Sequence, residues 1–189
     1  DTLSLHDALP ILHQGHISLI TNSRSANSIT VSSIFVNPTQ FNDPKDFEKY
    51  PVTLEKDIAL LEQTGCDVLF LPSVAEMYPT GFSNLQQYNL GYLETVLEGK
   101  YRPGHFQGVC QVVHRLLQIV EPDNLFLGQK DFQQCMVIKK LIELTKLNVN
   151  VIVCDTLRED DGLAMSSRNM RLNKQEREKA IKIDRKSVV

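Results

Sequence analysis

Apolar positions along the chain follow two alternating rhythms. Short, nearly continuous apolar or β-branched runs occur at 28–36 (SITVSSIFV), 67–71 (DVLFL), 124–128 (NLFLG) and 149–154 (VNVIVC). Runs of this length without polar alternation fit strands covered on both faces. Between them lie stretches with helical spacing. The first, 16–26, carries Ile17, Leu19 and Ile20; the second, 53–64, carries Ile58, Leu60 and Leu61. The third, 106–120, lines up Val109, Val112, Val113, Leu116, Leu117 and Val120 on one face, as an amphipathic helix requires. A further helix is predicted from the 129–134 crossing to about residue 147. Thr53 and Gly65 bracket the second helix as cap and stop. Ser73 with Glu76, and Asn173 with Glu176, have capping-box spacing: the first starts a short helix ending before Pro79, the second a charged helix at the end of the chain. Residues 85–90 read as an edge strand or ribbon. Strands alternating with helices predict an α/β fold, a doubly wound parallel sheet.

Candidate chemistry sits where this pattern breaks. Leu12-His13-Gln14-Gly15-His16 precedes the first helical stretch, with the helix expected from His16. Unpaired N–H groups and the positive end of the dipole at a helix start make a seat for phosphate oxygens. Gly15 lacks the Cβ that would hold a ligand off the backbone. Imidazole donors can stabilise charge that grows on a phosphorus centre. A solvated helix start with two surface histidines would show the same residues. Asn37-Pro38-Thr39-Gln40-Phe41 leaves a strand at its carboxyl end, where open α/β sheets bind ligands; an exposed Pro-containing turn would read the same way. Lys100, Arg102 and His105 lie in the Gly- and Pro-rich stretch 99–108, either an anion contact or a solvated loop. Gly128-Gln129-Lys130-Asp131 spans a strand-to-helix crossing. There glycine admits a base or ribose, lysine neutralises phosphate and the carboxylate accepts from ribose hydroxyls. His114, within the apolar helix, reads as structural. The polar, Gly-containing loop 158–171 holds Met165-Ser166-Ser167-Arg168.

Length and composition narrow the setting. The 189 residues can bury one substantial core, and 42% apolar with 23% charged residues are ordinary globular values. A net charge of −3 and no Trp argue against nucleic acid or an anionic membrane as partner. No apolar run nears the roughly 20 residues of a membrane span. Cys66, Cys110, Cys135 and Cys154 form no C-x-x-C pair and read as free, mostly buried thiols, which predicts a cytoplasmic setting. Residues 1–11 (DTLSLHDALPI) show no strand-length apolar pattern to feed the histidine turn. Together with 184–189 they resemble translated sequencing adapter and read as a non-native leader and tail. The expected domains are 12–155, a nucleotide-binding unit, and 156–183, the start of a truncated lid. A chain lacking the first strand and most of the lid is expected not to work as an enzyme.

In order, LHQGH, SIFVNPTQF, KYP, RPGHFQGV, GQKDFQQ and DGLAMSSRN resemble the pantoate–β-alanine ligases of the nucleotidylyltransferase superfamily, over about 12–183. The resemblance implies a Rossmann-like fold, a homodimer, and ATP-dependent joining of pantoate to β-alanine through a pantoyl adenylate. It implies His16, His13 and Lys130 as catalytic. ATP would be held by Leu12, His13, Gln14, Gly15, His16, Gly128, Gln129, Lys130, Asp131, Leu157, Met165, Ser166, Ser167 and Arg168. Pantoate would meet Gln40, Gln134, Asn37, Arg102 and His105, with Gln40 also facing β-alanine. Mg²⁺ would be carried largely by the phosphates, with Asp57 a weak protein candidate. Two departures stand out: Asp7-Ala8-Leu9-Pro10-Ile11 replaces the family's Pro-Thr-Met-Gly-Ala, and Gln129 stands where Glu is usual. Two other readings stay open, a nucleotidylyltransferase acting on another cofactor precursor and a non-catalytic nucleotide-binding module.

Overall fold

Five parallel strands in the order β3-β2-β1-β4-β5 form the frame of the computed structural model, which describes residues 2–4, 12–35, 37 and 54–186. In chain order the elements are β1 (Thr2–Ser4), α1 (Gln14–Ala26), β2 (Thr30–Ser33), α2 (Leu54–Thr64), β3 (Val68–Phe70), α3 (Val74–Met77), α4 (Leu97–Tyr101) and α5 (His105–Val120). They are followed by β4 (Asn124–Gly128), α6 (Phe132–Thr145), β5 (Asn150–Cys154) and α7 (Lys174–Lys186). The order reverses between β1 and β4. A doubly wound sheet opens its ligand crevice at such a switch point, and the histidine turn and the Gly128–Asp131 crossing follow these two strands.

The expectation that no strand precedes the turn is corrected. Thr2, Leu3 and Ser4 pair with Thr30, Val31 and Ser32 on one side and with Asn124, Leu125 and Phe126 on the other. A parallel ladder is made by backbone groups. Three extended residues between two neighbours therefore qualify without an apolar run of their own.

The remaining strands match their expected places, trimmed at the ends. β2 is buried along its length even though three of its four residues carry hydroxyls. The hydroxyls of Thr30 and Ser23 share a hydrogen bond of 2.8 Å, and the Thr30 N–H donates to Asp67 at 2.8 Å. The main core lies between the sheet and α5 and α6, where Phe106, Val109, Leu116, Leu117, Leu125, Val137, Ile138 and Leu141 are at most 2% exposed. Leu12, Ile20 and Leu61 form a smaller cluster that joins the start of the turn to α1 and α2. All four cysteines are free, with Cys110, Cys135 and Cys154 buried; burial pushes the Cys110 thiol up to about 12.

The two capping boxes form as expected. Ser73 pairs with Glu76 at the start of α3, and Asn173 exchanges backbone and side-chain hydrogen bonds with Glu176 at the start of α7. Residues 85–90 are not a strand. The Gln107 side-chain amide donates to the Tyr88 carbonyl (2.8 Å) and accepts from its N–H (2.9 Å), doing what a neighbouring strand would do. Tyr88 and Leu90 are buried by this arrangement, so their apolar character reflects packing on α5. His114 accepts its structural role, with Nδ1 2.7 Å from the Tyr88 hydroxyl. The stretch 99–108 is not one loop either: α4 ends at Tyr101 and α5 begins at His105, with Gly104 between them at φ +79°.

Candidate active site

Helix α1 begins at Gln14, not His16, because His13 caps it. The Gly15 N–H donates to Nδ1 of His13 at 3.1 Å, and the His13 N–H donates to Nδ1 of His16 at 3.2 Å. The pair thus forms a capping box built from imidazoles, in which side chains satisfy backbone donors at the helix start. Acceptance at Nδ1 fixes the neutral tautomer in each ring, so the proton sits on Nε2. The rings stack with centroids 3.9 Å apart. Burial and the nearby Lys130 cation hold His13 below its ordinary value, and Glu159 works against them.

Gly15 has a more local reason than ligand approach alone. A Cβ there would lie 2.8 Å from Cε1 and 2.9 Å from Nδ1 of His13. Any side chain would push the capping ring off the helix. The same position lies 3.5 Å from Cβ of Met165, which places the distant Met-Ser-Ser-Arg stretch directly against the turn.

Leu12 is buried, and its N–H donates to Asp57 Oδ1 at 2.8 Å. Asp57, itself 2% exposed in the first turn of α2, therefore fixes the entry to the turn. Gln14 is exposed in the first turn of α1. Across the switch point, Gln129, Lys130 and Asp131 form a single exposed turn after Gly128. Lys130 Nζ is 3.9 Å from Asp131 Oδ2. A Cβ on Gly128 would meet nothing within 4 Å, so space stands open where a ribose or base was expected.

The third part is the segment after β5. Leu157 accepts from the Met165 N–H at 2.9 Å, which makes this backbone pair one unit. Ser166 caps a turn at 167–171 by accepting from the Arg168 N–H at 3.3 Å. Arg168 is exposed, while Ser166 and Ser167 are half-buried. His13, His16, Lys130 and the Met165–Arg168 loop are thus brought together, although about 150 residues separate the first from the last.

The residues expected around the acid substrate are placed less completely. Gln40 lies outside the described residues. Asn37 is buried, its Oδ1 accepting from the Tyr78 hydroxyl at 2.8 Å. Arg102 Nη1 lies 2.6 Å from Glu98 Oε1 and 3.2 Å from His105 Nε2. Burial and Arg102 hold His105 below its ordinary value, with Glu98 opposing, and its buried Nδ1 has no hydrogen-bond partner among the described residues. Gln134 is half-buried in the first turn of α6. Its neighbour Gln133 makes the structural bonds: Nε2 donates to the carbonyls of Leu93 (2.8 Å) and Val96 (2.9 Å), and Oε1 accepts from the Glu98 N–H (3.0 Å). Gln133 ties the Arg102 segment to the helix start that carries Gln134. Sequence reasoning missed Gln133 and the holding role of Asp57. Their polar position beside motif residues and an apolar helix face was the available signal.

A five-stranded parallel sheet with a switch point between β1 and β4 defines a doubly wound α/β protein, and a capped helix start, a lysine turn and a returning Ser-Ser-Arg loop lie together at that point. The family model for pantoate-beta-alanine ligase matches residues 5–187, and the chain belongs to that family. It is 51% identical over 164 residues to the pantothenate synthetase of Cytophaga hutchinsonii, covering 87% of this chain and 57% of that protein. A pantothenate synthetase structure from Thermus thermophilus matches with TM-score 0.87 at 43% identity, covering 97% of this chain and 66% of that one. The pantoate-beta-alanine ligase of Francisella tularensis, complexed with β-γ ATP and β-alanine, matches with TM-score 0.84 at 46% identity, covering 96% and 69%. The chain spans less than two thirds of the length of the curated relatives it matches, 57% of the Cytophaga protein and 62% of the pantothenate synthetase of Porphyromonas gingivalis.

Proposed function

We propose that the protein of this sequence joins pantoate to β-alanine at the expense of ATP. The observation that carries this reading is the meeting of the histidine turn with the Ser-Ser-Arg loop at the switch point, in a member of this ligase family. In the first step a carboxylate oxygen of pantoate attacks the α-phosphorus of ATP. The bond from that phosphorus to the bridging oxygen breaks, and pyrophosphate leaves. In the second step the β-alanine amine attacks the acyl carbon, the acyl–oxygen bond breaks, AMP leaves and the nitrogen sheds a proton. Neither step calls for a protein nucleophile, so rate must come from positioning and from donors aimed at developing charge.

The Nε2–H groups of His13 and His16, the Lys130 ammonium and the Ser166-Ser167-Arg168 loop are the donors for the phosphates. Gly128 and Asp131 take the ribose; Leu157 and Met165 offer backbone to adenine. Gln134, with Gln40, Asn37, Arg102 and His105, takes pantoate, and Gln40 also faces β-alanine. No three His, Cys, Asp or Glu side chains among the described residues group as a metal site. Mg²⁺ would be held largely by the ATP phosphates, where it would neutralise part of their charge, with Asp57, which also accepts from the Leu12 N–H, the protein candidate beside it. No helix among the described residues is long and apolar enough to cross a membrane. A cytoplasmic homodimer is part of the same reading.

The test is AMP release. Pyrophosphate should form with ATP and pantoate alone, and AMP should appear only when β-alanine is added. Adenylation of a different acceptor in preference to pantoate, with pyrophosphate released and no free AMP, would transfer the site to another nucleotidylyltransferase; AMP release that ignores β-alanine would mean water, not the amine, takes the adenylate and would reject the ligase step. ATP binding with no turnover of any acceptor would leave a binding module.

A further inference from the structure

The loop that meets the histidine turn is held by polar groups. Of residues 155–173 only Leu163 is buried, so hydrophobic packing contributes little to its shape. Its frame is a small antiparallel bridge between Arg158 and Ala164, closed by Glu159 N–H to the Leu163 carbonyl at 2.8 Å and Gly162 N–H to the Glu159 carbonyl at 2.7 Å. One side chain from α7 reaches into this frame. Arg177 donates through Nη2 to Glu159 Oε2 and through Nε to Asp161 Oδ2. The other oxygen of Glu159 accepts from Asn169 Nδ2, which also donates to the Ala164 carbonyl at 2.9 Å. The Asn169 N–H in turn donates to the Ser166 carbonyl at 3.0 Å. A continuous line of hydrogen bonds thus runs from Arg177 through Glu159 and Asn169 to Ser166.

We infer that Arg177 is a positioning residue: acting through Glu159 and Asn169, it sets the Ser166-Ser167-Arg168 loop against the His13–Gly15 turn. Lysine could not replace it fully, because the two carboxylates are taken by two different nitrogens of one planar group. The side chains of Arg177, Glu159 and Asp161 are each about one-third exposed or less. Glu159 is also close enough to act on the His13 ring against Lys130, which puts the clamp at the edge of the phosphate seat itself. The inference rests on the proposed use of this loop to hold ATP.

The experiment combines Arg177→Met, Arg177→Lys and Arg168→Ala in the full chain, singly and as the Arg177→Met/Arg168→Ala double variant. Amide exchange at 163–169 and ATP affinity are measured beside pantoate-dependent pyrophosphate release. Arg177→Met should speed exchange at 163–169 while leaving α5 and α6 protected, and should weaken ATP binding about tenfold. In the Arg168→Ala background the same change should cost less than about threefold, as coupled residues do. Arg177→Lys should recover part of the loss. Unchanged exchange and ATP affinity in Arg177→Met, or an equal loss with and without Arg168, would overturn the inference. If Arg177→Met unfolds, Glu159→Gln keeps the bulk and tests the same link, and unaltered loop exchange there would also overturn it. Absence of pantoate-dependent pyrophosphate release in the parent chain would instead reject the proposed reaction, with the exchange data still deciding on the clamp.

Discussion

Each histidine of the turn divides its work between two nitrogens. Nδ1 closes the helix start, which holds the proton on Nε2, and that Nε2–H is the donor the proposed site turns on the ligand. Because the folded His13 lies below 6.5, the unfolded chain takes up this proton first. Its stabilising contribution is therefore complete above about 6.5 and declines as pH falls below it. His13→Asn separates the two duties, since asparagine is among the best N-caps but has no ring Nε2–H. That variant should keep α1 and lie within about 1 kcal/mol of the parent in urea. It should lose this part of the acid dependence and bind ATP more weakly. His16→Ala should lower adenylate formation about 10²-fold or more, with ATP affinity falling less. A His13→Asn chain that bound ATP like the parent would remove that Nε2–H from phosphate recognition.

Elements rather than single side chains decide where the motifs land. Helix α2 carries no motif residue of the site except Asp57, and it fixes the entry of the turn by accepting from Leu12. Asp57→Ala should leave a buried N–H unpaired and cost about 1–3 kcal/mol, read as a lower urea midpoint. Asp57→Asn keeps an acceptor oxygen and should recover most of the loss, with an unchanged Mg²⁺ requirement. A raised Mg²⁺ requirement at normal stability would instead make Asp57 a metal contact. The same elements explain what was legible in the sequence. The Gln129–Asp131 crossing is legible because it leaves an apolar strand run, and the turn and the Met165–Arg168 loop because their residues are contiguous motifs; no strand pattern points to the turn. Residues 85–90 were misread because burial against α5, not strand pairing, explains their apolar character; the Gln107 amide that completes their backbone lies 19 positions away from Tyr88. The Arg177 clamp was invisible for a similar reason. Its partners are charged residues in a polar loop, where sequence offers no period to reveal which charges meet.

For the molecule as a whole, the least legible element is the most central one. Three residues offer no alternation to detect, and DTLSLHDALPI resembled adapter rather than strand, yet Thr2–Ser4 joins β2 to β4 in the middle of the sheet. Without it the two halves of the sheet, β3-β2 and β4-β5, would each present an unpaired inner edge. Helix α1 behind the histidine turn packs on both halves, Ile20 with Leu61 on one side and Leu19 with Phe126 and Cys154 on the other, so a sheet held together at β1 also keeps the turn beside the lysine crossing. Leu3→Pro tests this with a single substitution, because proline removes one ladder donor at a position that has neighbours on both sides. The expected cost is about 1–3 kcal/mol for the group left unpaired, a large share of the roughly 5–15 kcal/mol that stabilises an ordinary domain. ATP affinity should fall with it, since the two walls of the site would no longer be held in register. Urea unfolding and ATP titration of the same preparation check both expectations. A Leu3→Pro chain with parent stability and parent ATP affinity would show that Thr2–Ser4 contributes nothing to holding the sheet together.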